Sequence, residues 1–212
     1  MADAPDWLAW HEPYRDPSSP LSRRLEIVQG HIARWLDERA GAPVTVVSAC
    51  AGQGHDLLGV LRHRADAHRV RATLLEYDQR NVDVARTAAR RAGLTGVEVR
   101  RADAGDRACY RGIVPADLVL LVGVFGNVGE ADMSTTVAAL PQLCGPAATV
   151  VWTLTRTPPD RTGALRGRLR EAGFTELAFT APPDVLFTVG VHRLTGPPQP
   201  LAPTGRLFRF GS

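Results

Sequence analysis

Residues 44–54, Val-Thr-Val-Val-Ser-Ala-Cys-Ala-Gly-Gln-Gly, constrain the fold more than any other stretch. A β-branched apolar run favours a buried strand. Here it breaks into small residues ahead of a helix-like segment, His55–Arg64. Cys50, Ala51, Gly52 and Gly54 carry little or no side chain, so a ligand can approach the backbone of such a loop. Strand, small-residue turn and helix in that order open the nucleotide-binding half of a doubly wound α/β sheet. Thr73-Leu74-Leu75-Glu76-Tyr77-Asp78 adds force to this reading. It is a second apolar run ending in an acid about twenty residues further on, where a carboxylate can accept both hydroxyls of a ribose.

Strand-like and helix-like segments alternate from residue 44 to about 172, which argues for a parallel sheet covered on both faces. Strands are expected at Val44–Ala49, Val70–Glu76, Val97–Arg101, Leu118–Val122 and Thr149–Leu154, with helices at His55–Arg64, Asn81–Ala92, Met133–Leu143 and Arg161–Ala172. Pro141 sits awkwardly inside the third of these helices, since an interior proline kinks or ends one. An earlier helix starts at the cap pair Ser19-Pro20, places Leu21, Leu25, Val28, Ile32 and Leu36 on one face, and stops at Gly41 and Pro43. After Gly173 the pattern changes. Thr175–Thr180 and Leu186–Leu194 are joined by a link built on Ala181-Pro182-Pro183-Asp184, too short for a crossover helix, so these strands should be antiparallel. The expected organisation is an aromatic arm and helix over 1–43, a core over 44–195, and a proline-rich tail over 196–212 whose Leu207, Phe208 and Phe210 could dock on the body.

The composition excludes several chemistries. All 25 basic residues are arginine, so a Schiff-base lysine, a pyridoxal-phosphate anchor and a P-loop lysine are impossible. The arginines are mixed with acids and the net charge is only +3, which argues for a solvated surface and against a nucleic-acid partner. Cys50, Cys109 and Cys144 are far apart and form no Cys-x-x-Cys pair, and the histidines form no His-Glu-x-x-His, so no metal is expected. No apolar run approaches the ~20 residues of a membrane span. The acidic first residues lack the layout of a signal peptide. A cytoplasmic protein is the expectation, and the arginine-only composition suggests a bacterial source.

Taken together these residues resemble the class I S-adenosylmethionine-dependent methyltransferases over roughly 20–195, on four loops in the right order. In the family the first loop reads acidic-x-Gly-x-Gly-x-Gly; here it is Ser48-Ala49-Cys50-Ala51-Gly52-Gln53-Gly54, with Ser48 in place of the acid and Cys50 in place of the first glycine. Glu76 lies nine residues before Ala85, the family's spacing for the ribose-binding acid, and Tyr77 follows it. Asp103, next to Ala104, would face the adenine amino group. Ala116 to Asn127 resembles the strand and loop beneath the methyl group, bringing in Gly123, Phe125 and Asn127. That segment lacks the Asn-Pro-Pro-Tyr-like tetrapeptide of many nucleic-acid amino methyltransferases. The resemblance implies S-adenosyl-L-methionine as cofactor and a small-molecule methyl acceptor. It also implies a seven-stranded, mostly parallel sheet, with Leu186–Leu194 inserted antiparallel between Thr149–Leu154 and Thr175–Thr180.

The arm Trp7-Leu8-Ala9-Trp10-His11-Glu12-Pro13-Tyr14 is either a lid carrying acceptor-site residues, His11 and Tyr14 first, or a staple for the chain. His11 is the candidate base there, on its ordinary pKa of ~6.5. Two other functions stay open. One is a catalytically weak or inactive S-adenosylmethionine-binding protein. The other is a nicotinamide-dependent oxidoreductase, disfavoured because Gly-x-Gly-x-x-Gly is missing from 50–55 and no Tyr-x-x-x-Lys pair can exist.

Overall fold

The computed structural model describes residues 6–210; the first five residues of the expected arm and the last two of the tail lie outside them. Seven strands form one sheet: β1 (Val44–Ala49), β2 (Val70–Glu76), β3 (Val97–Arg101), β4 (Ala116–Leu121), β5 (Cys144–Thr155), β6 (Phe174–Thr180) and β7 (Phe187–Leu194). Their order is β3-β2-β1-β4-β5-β7-β6. The first five run parallel, and β7 lies antiparallel between β5 and β6, as expected. Five helices pack on the sheet: α1 (Pro20–Asp37), α2 (His55–Leu61), α3 (Gln79–Arg91), α4 (Glu130–Ala139) and α5 (Thr162–Glu171).

The sheet separates two cores. On one face α1, α2 and α3 contribute Val28, Ile32, Leu57, Leu58, Val82 and Ala85. On the other, α4 and α5 contribute Met133, Val137, Leu165 and Leu169, joined by Leu207 and Phe208 of the tail. Val119, Leu120 and Leu121 of β4 are fully buried, as a central strand covered on both faces must be. Strand order reverses between β1 and β4, and in doubly wound sheets the crevice beyond the strand ends at such a point is where ligands bind.

Three expectations need correction. The helix around residue 140 ends at Ala139, and Pro141 falls in a separate 3-10 turn, Leu140–Gln142. In α1 the cap is as expected, the Ser19 side chain accepting from Ser22 N at 3.1 Å. The buried stripe is different at its start, however. Ser22 and Arg24 are buried while Leu21 and Leu25 are only half-buried, because the arm, a 3-10 helix at Ala9–Arg15, covers the Arg24 side. Of the tail, Leu207 and Phe208 are buried but Phe210 is 40% exposed.

Gly190 shows how tightly the antiparallel edge is packed. It sits opposite Trp152 in the β5–β7 register, and a Cβ placed there would lie 2.2 Å from the Trp152 ring. The indole in turn donates to His192 Nδ1 at 3.2 Å. Among the described residues no helix is long and apolar enough to cross a membrane.

Candidate active site

A cavity of about 360 Å³ opens at the carboxyl ends of β1, β2 and β4. Its floor is the loop after β1. Ala51 N bonds the Leu75 carbonyl at 2.9 Å and ties that loop to β2. Cys50 takes φ 53° and Gly52 φ 55°, the left-handed region. That conformation suits glycine and strains a residue with a Cβ. Burial pushes the Cys50 thiol well up, with Glu76 and Asp103 adding to the effect, so it is a neutral filler and no nucleophile.

Glu76 stands at the end of β2. Its Oε2 accepts from Gly52 N at 2.8 Å and its Oε1 from Asp78 N at 2.8 Å. Burial raises its pKa while these backbone N–H groups oppose the rise. Each oxygen accepts one of these N–H bonds and keeps lone-pair capacity for a further donor on the cavity side. This is the donor–acceptor chemistry a ribose diol requires.

The arm forms the opposite wall. His11 Nδ1 faces the Trp7 carbonyl at 2.8 Å, and His11 Nε2 accepts from Gln53 N at 3.4 Å. The two bonds together assign the neutral ring with its proton on Nδ1. Burial lowers the His11 pKa, with Arg24 adding to that and the Trp7 carbonyl opposing it. The ring presses so close that a Cβ on Gly52 would lie 2.3 Å from Nε2. The Nε2 lone pair, where a base would take its proton, faces Gln53 N across a long 3.4 Å contact. Tyr14 accepts from Arg24 Nη2 at 2.9 Å and lies 4.9 Å from the His55 ring. Burial, then Asp56, pushes its hydroxyl up to about 12. His55 is pushed down to about 4 by burial and the nearby His11 and Arg62.

The third and fourth loops complete the walls. Asp103 Oδ1 accepts from Gly105 N at 2.9 Å, and its Oδ2 pairs with Arg206 of the tail at 2.6 Å. Gly123 N donates to Thr153 Oγ1 at 2.8 Å, and the Asn127 amide donates to the Gly123 carbonyl at 2.7 Å.

Of the residues expected from sequence, Cys50, Ala51, Gly52, Glu76, Tyr77, Asp103, Ala104, Gly123, His11, Tyr14 and Asn127 come together on this cavity. Four are not among its walls. Ser48 shares the sheet face of Val46 and is buried with the α1–α3 core. Ala49 points into the opposite core. Gly54 caps α2, under Leu58 and Leu74. Phe125 is wholly buried, edge-on to Trp152 at 6.4 Å.

The sequence reading missed Arg24, His55, Asp56, Arg206 and Arg209 as wall residues. Arg24 left one trace: a charge at a position where α1 turns inward. Among the described residues no group of three or more His, Cys, Asp or Glu is placed to hold a metal.

Comparison with known proteins bears on the fold and the family. A Bordetella parapertussis structure, described as a possible exported protein, superposes with a TM-score of 0.67 at 20% identity, over 89% of this chain and 79% of that one. Magnesium protoporphyrin IX methyltransferase from Synechocystis PCC 6803, solved with bound SAM, gives 0.66 at 14% identity over 91% and 99%. The 1,6-didemethyltoxoflavin-N1-methyltransferase of Burkholderia thailandensis, solved with 1,6-didemethyltoxoflavin and S-adenosylhomocysteine, gives 0.62 at 19% identity over 92% and 93%. At these identities the likeness establishes a shared fold. A search of curated proteins returns no match. The family model described as "Putative methyltransferase" matches residues 23–160, well over half of the chain. The protein thus belongs to this methyltransferase family and carries the Rossmann-like class I fold.

Proposed function

We propose that the protein moves a methyl group from S-adenosylmethionine to a small-molecule acceptor. The observation that carries this is Glu76. A buried carboxylate at the tip of β2 is held by two backbone N–H groups, on a cavity at the point where strand order reverses. Two structural relatives, one solved with SAM and one with S-adenosylhomocysteine, are named for porphyrin and toxoflavin substrates, which supports a small acceptor. The net charge is only +3 and the arginines are mixed with acids along the chain, so nucleic acid is not the partner we propose. Three free cysteines suit the cytoplasm.

When bound, the cofactor supplies an electrophilic methyl group on a sulfonium centre. The chain supplies position and dryness. Glu76 would accept the ribose hydroxyls, while Cys50, Ala51 and Gly52 let the ligand lie against the backbone. Ala102, Asp103 and Ala104 would flank the base. On the acceptor side, Trp10, Tyr14 and Asn127 offer apolar and polar surface together. Tyr14, pushed up to about 12, stays protonated at neutral pH and would offer a donor and a surface.

The test is calorimetric titration of S-adenosylhomocysteine. Glu76→Ala should weaken binding by ~1.5–3 kcal/mol, the range for hydrogen bonds to a charged group. Unchanged affinity in a folded variant removes Glu76 from the site, and with it the reading. Binding followed by no turnover across an acceptor screen would favour a sensor over an enzyme.

A further inference from the structure

Three carboxylates line the cavity. Asp56 has its Oδ1 completely covered and unpartnered, where no ligand can reach it. Glu76 is held from within the site, by the backbone N–H groups of Gly52 and Asp78. Asp103 is held in part by the far end of the chain. Arg206 Nη2 donates to its Oδ2 at 2.6 Å, while Gly105 N donates to its Oδ1 at 2.9 Å. The tail reaches this point by pairing with the loop after β3. Arg107 N donates to the Gly205 carbonyl at 3.0 Å and Leu207 N to the Gly105 carbonyl at 2.7 Å, an antiparallel bridge that sets Arg206 opposite Asp106. Leu207 and Phe208 are buried in the core behind it, and the Leu207 carbonyl accepts from Thr136 Oγ1 at 2.8 Å. A Cβ on Gly105 would lie 2.2 Å from the Phe208 carbonyl oxygen, so loop and tail meet without slack. Arg206 therefore hangs from a backbone anchored on both sides, and a group preorganised in this way loses little freedom on meeting a ligand.

Both side chains of the pair are part-exposed, and such an ion pair adds only ~0–1 kcal/mol to stability. Its larger consequence is what it presents to the cavity. The Asp103 carboxylate keeps lone pairs and can only accept; the Arg206 guanidinium can only donate. Arg206 Nη1 makes no hydrogen bond among the described residues and is not shut away from solvent. An acceptor and a donor thus stand side by side on one wall, locked together by the 2.6 Å bond. We propose that Arg206 is a specificity-determining residue: with Asp103 it selects a heteroaromatic edge that carries an amino group beside a ring nitrogen, as adenine does. The amino group donates to Asp103 and the ring nitrogen accepts from Arg206 Nη1. A 6-oxo purine turns an acceptor toward the carboxylate and is rejected. This rests on the methyl-transfer reading above, in which the loop at Asp103 flanks the cofactor's base, and it makes the tail arginine half of the recognition.

The experiment titrates two ligands into wild type and Arg206→Gln by calorimetry. One is S-adenosylhomocysteine; the other is S-inosylhomocysteine, which differs only in carrying a 6-oxo group for the amino group. Wild type should prefer the adenosyl compound by roughly 10- to 100-fold, the range for hydrogen bonds to a charged group. Arg206→Gln should lose most of that preference, with S-adenosylhomocysteine weakened roughly tenfold or more and the inosyl compound held or improved. A tail that merely staples the fold would weaken both ligands equally. An adenosyl-to-inosyl ratio unchanged in the variant overturns the proposal, and so does a wild type that shows no preference for the adenosyl compound. Methyl transfer stands in both cases. Wild type that binds neither nucleoside overturns the methyl-transfer reading itself, and the role of Arg206 falls with it. Should Arg206→Gln fail to fold, Arg206→Lys, which keeps the charge and loses the planar fork, carries the same contrast.

Discussion

Asp56 makes a quantitative prediction about stability. Burial raises its pKa from 3.8 to about 6, even with Arg24 pulling the other way. In the unfolded chain it titrates near its ordinary value, so between roughly pH 4 and pH 6 the folded protein holds more protons than the unfolded one. Stability from this group therefore falls as pH rises through that window. The cost is absent below about pH 4 and complete above about pH 7. Two units at ~1.4 kcal/mol each set an upper limit of about 3 kcal/mol. Two effects reduce it. The carboxylate borders a cavity that water can enter, and an asparagine in its place still leaves an amide unbonded, at a cost of ~1 kcal/mol. Asp56→Asn should therefore be ~1–2 kcal/mol more stable than wild type at pH 8, and most of that gain should be gone at pH 5, where roughly half of the carboxylate's cost has been relieved but the amide's has not. Urea unfolding followed by circular dichroism at both pH values measures it, and contributions from other titrating groups cancel in the difference. A variant less stable than wild type at pH 8, or a gain equal at both pH values, would refute the argument that this charge is buried and unpaired.

Cys50 holds a left-handed backbone conformation; Cys50→Gly should relieve ~1–2 kcal/mol of strain, less the ~0.4–1 kcal/mol entropy cost of a glycine, and so melt higher than Cys50→Ala in calorimetry. Gly190→Ala drives a methyl group into the Trp152 ring and should cost ~1–3 kcal/mol in denaturant titration; a neutral result would mean that the β5–β7 edge gives way easily. Deleting residues 1–15 removes His11, Tyr14 and the Trp10 wall. If the arm is a lid, affinity for S-adenosylhomocysteine should drop at a temperature where the fold survives, whereas a lower melting point with intact affinity would make it a staple.

The strands were legible because their signal is local. Val44–Ala49, Val70–Glu76 and Val97–Arg101 are β-branched or apolar runs bounded by turn residues, and they fold where they read. The first and second loops were legible for the same reason, as small residues and an acid at strand ends. What was hidden depends on cover from distant segments. Arg24 looks like a solvated helix charge until the arm is seen to lie across it. Asp103 reads as a ligand acid, yet a tail arginine a hundred residues away occupies one of its oxygens. Phe125 reads as a loop residue over the site, but the Trp152 ring draws it into the core. Periodicity reports which residues share a face, and says nothing of what another part of the chain places on it.

Trp7 and Phe210 approach to 5.7 Å between ring centres, joining the arm to the tail, while Asp6 pairs with Arg80 at 2.9 Å. The two flanking segments are thereby energetically reciprocal: whatever free energy the tail lends to seating the arm, the arm returns to the tail. Loosening Phe210 or Arg206 should reach His11 against Gly52 without touching either residue. Sensitivity to the acceptor could thus be retuned from the tail, leaving the sheet that carries the chemistry untouched.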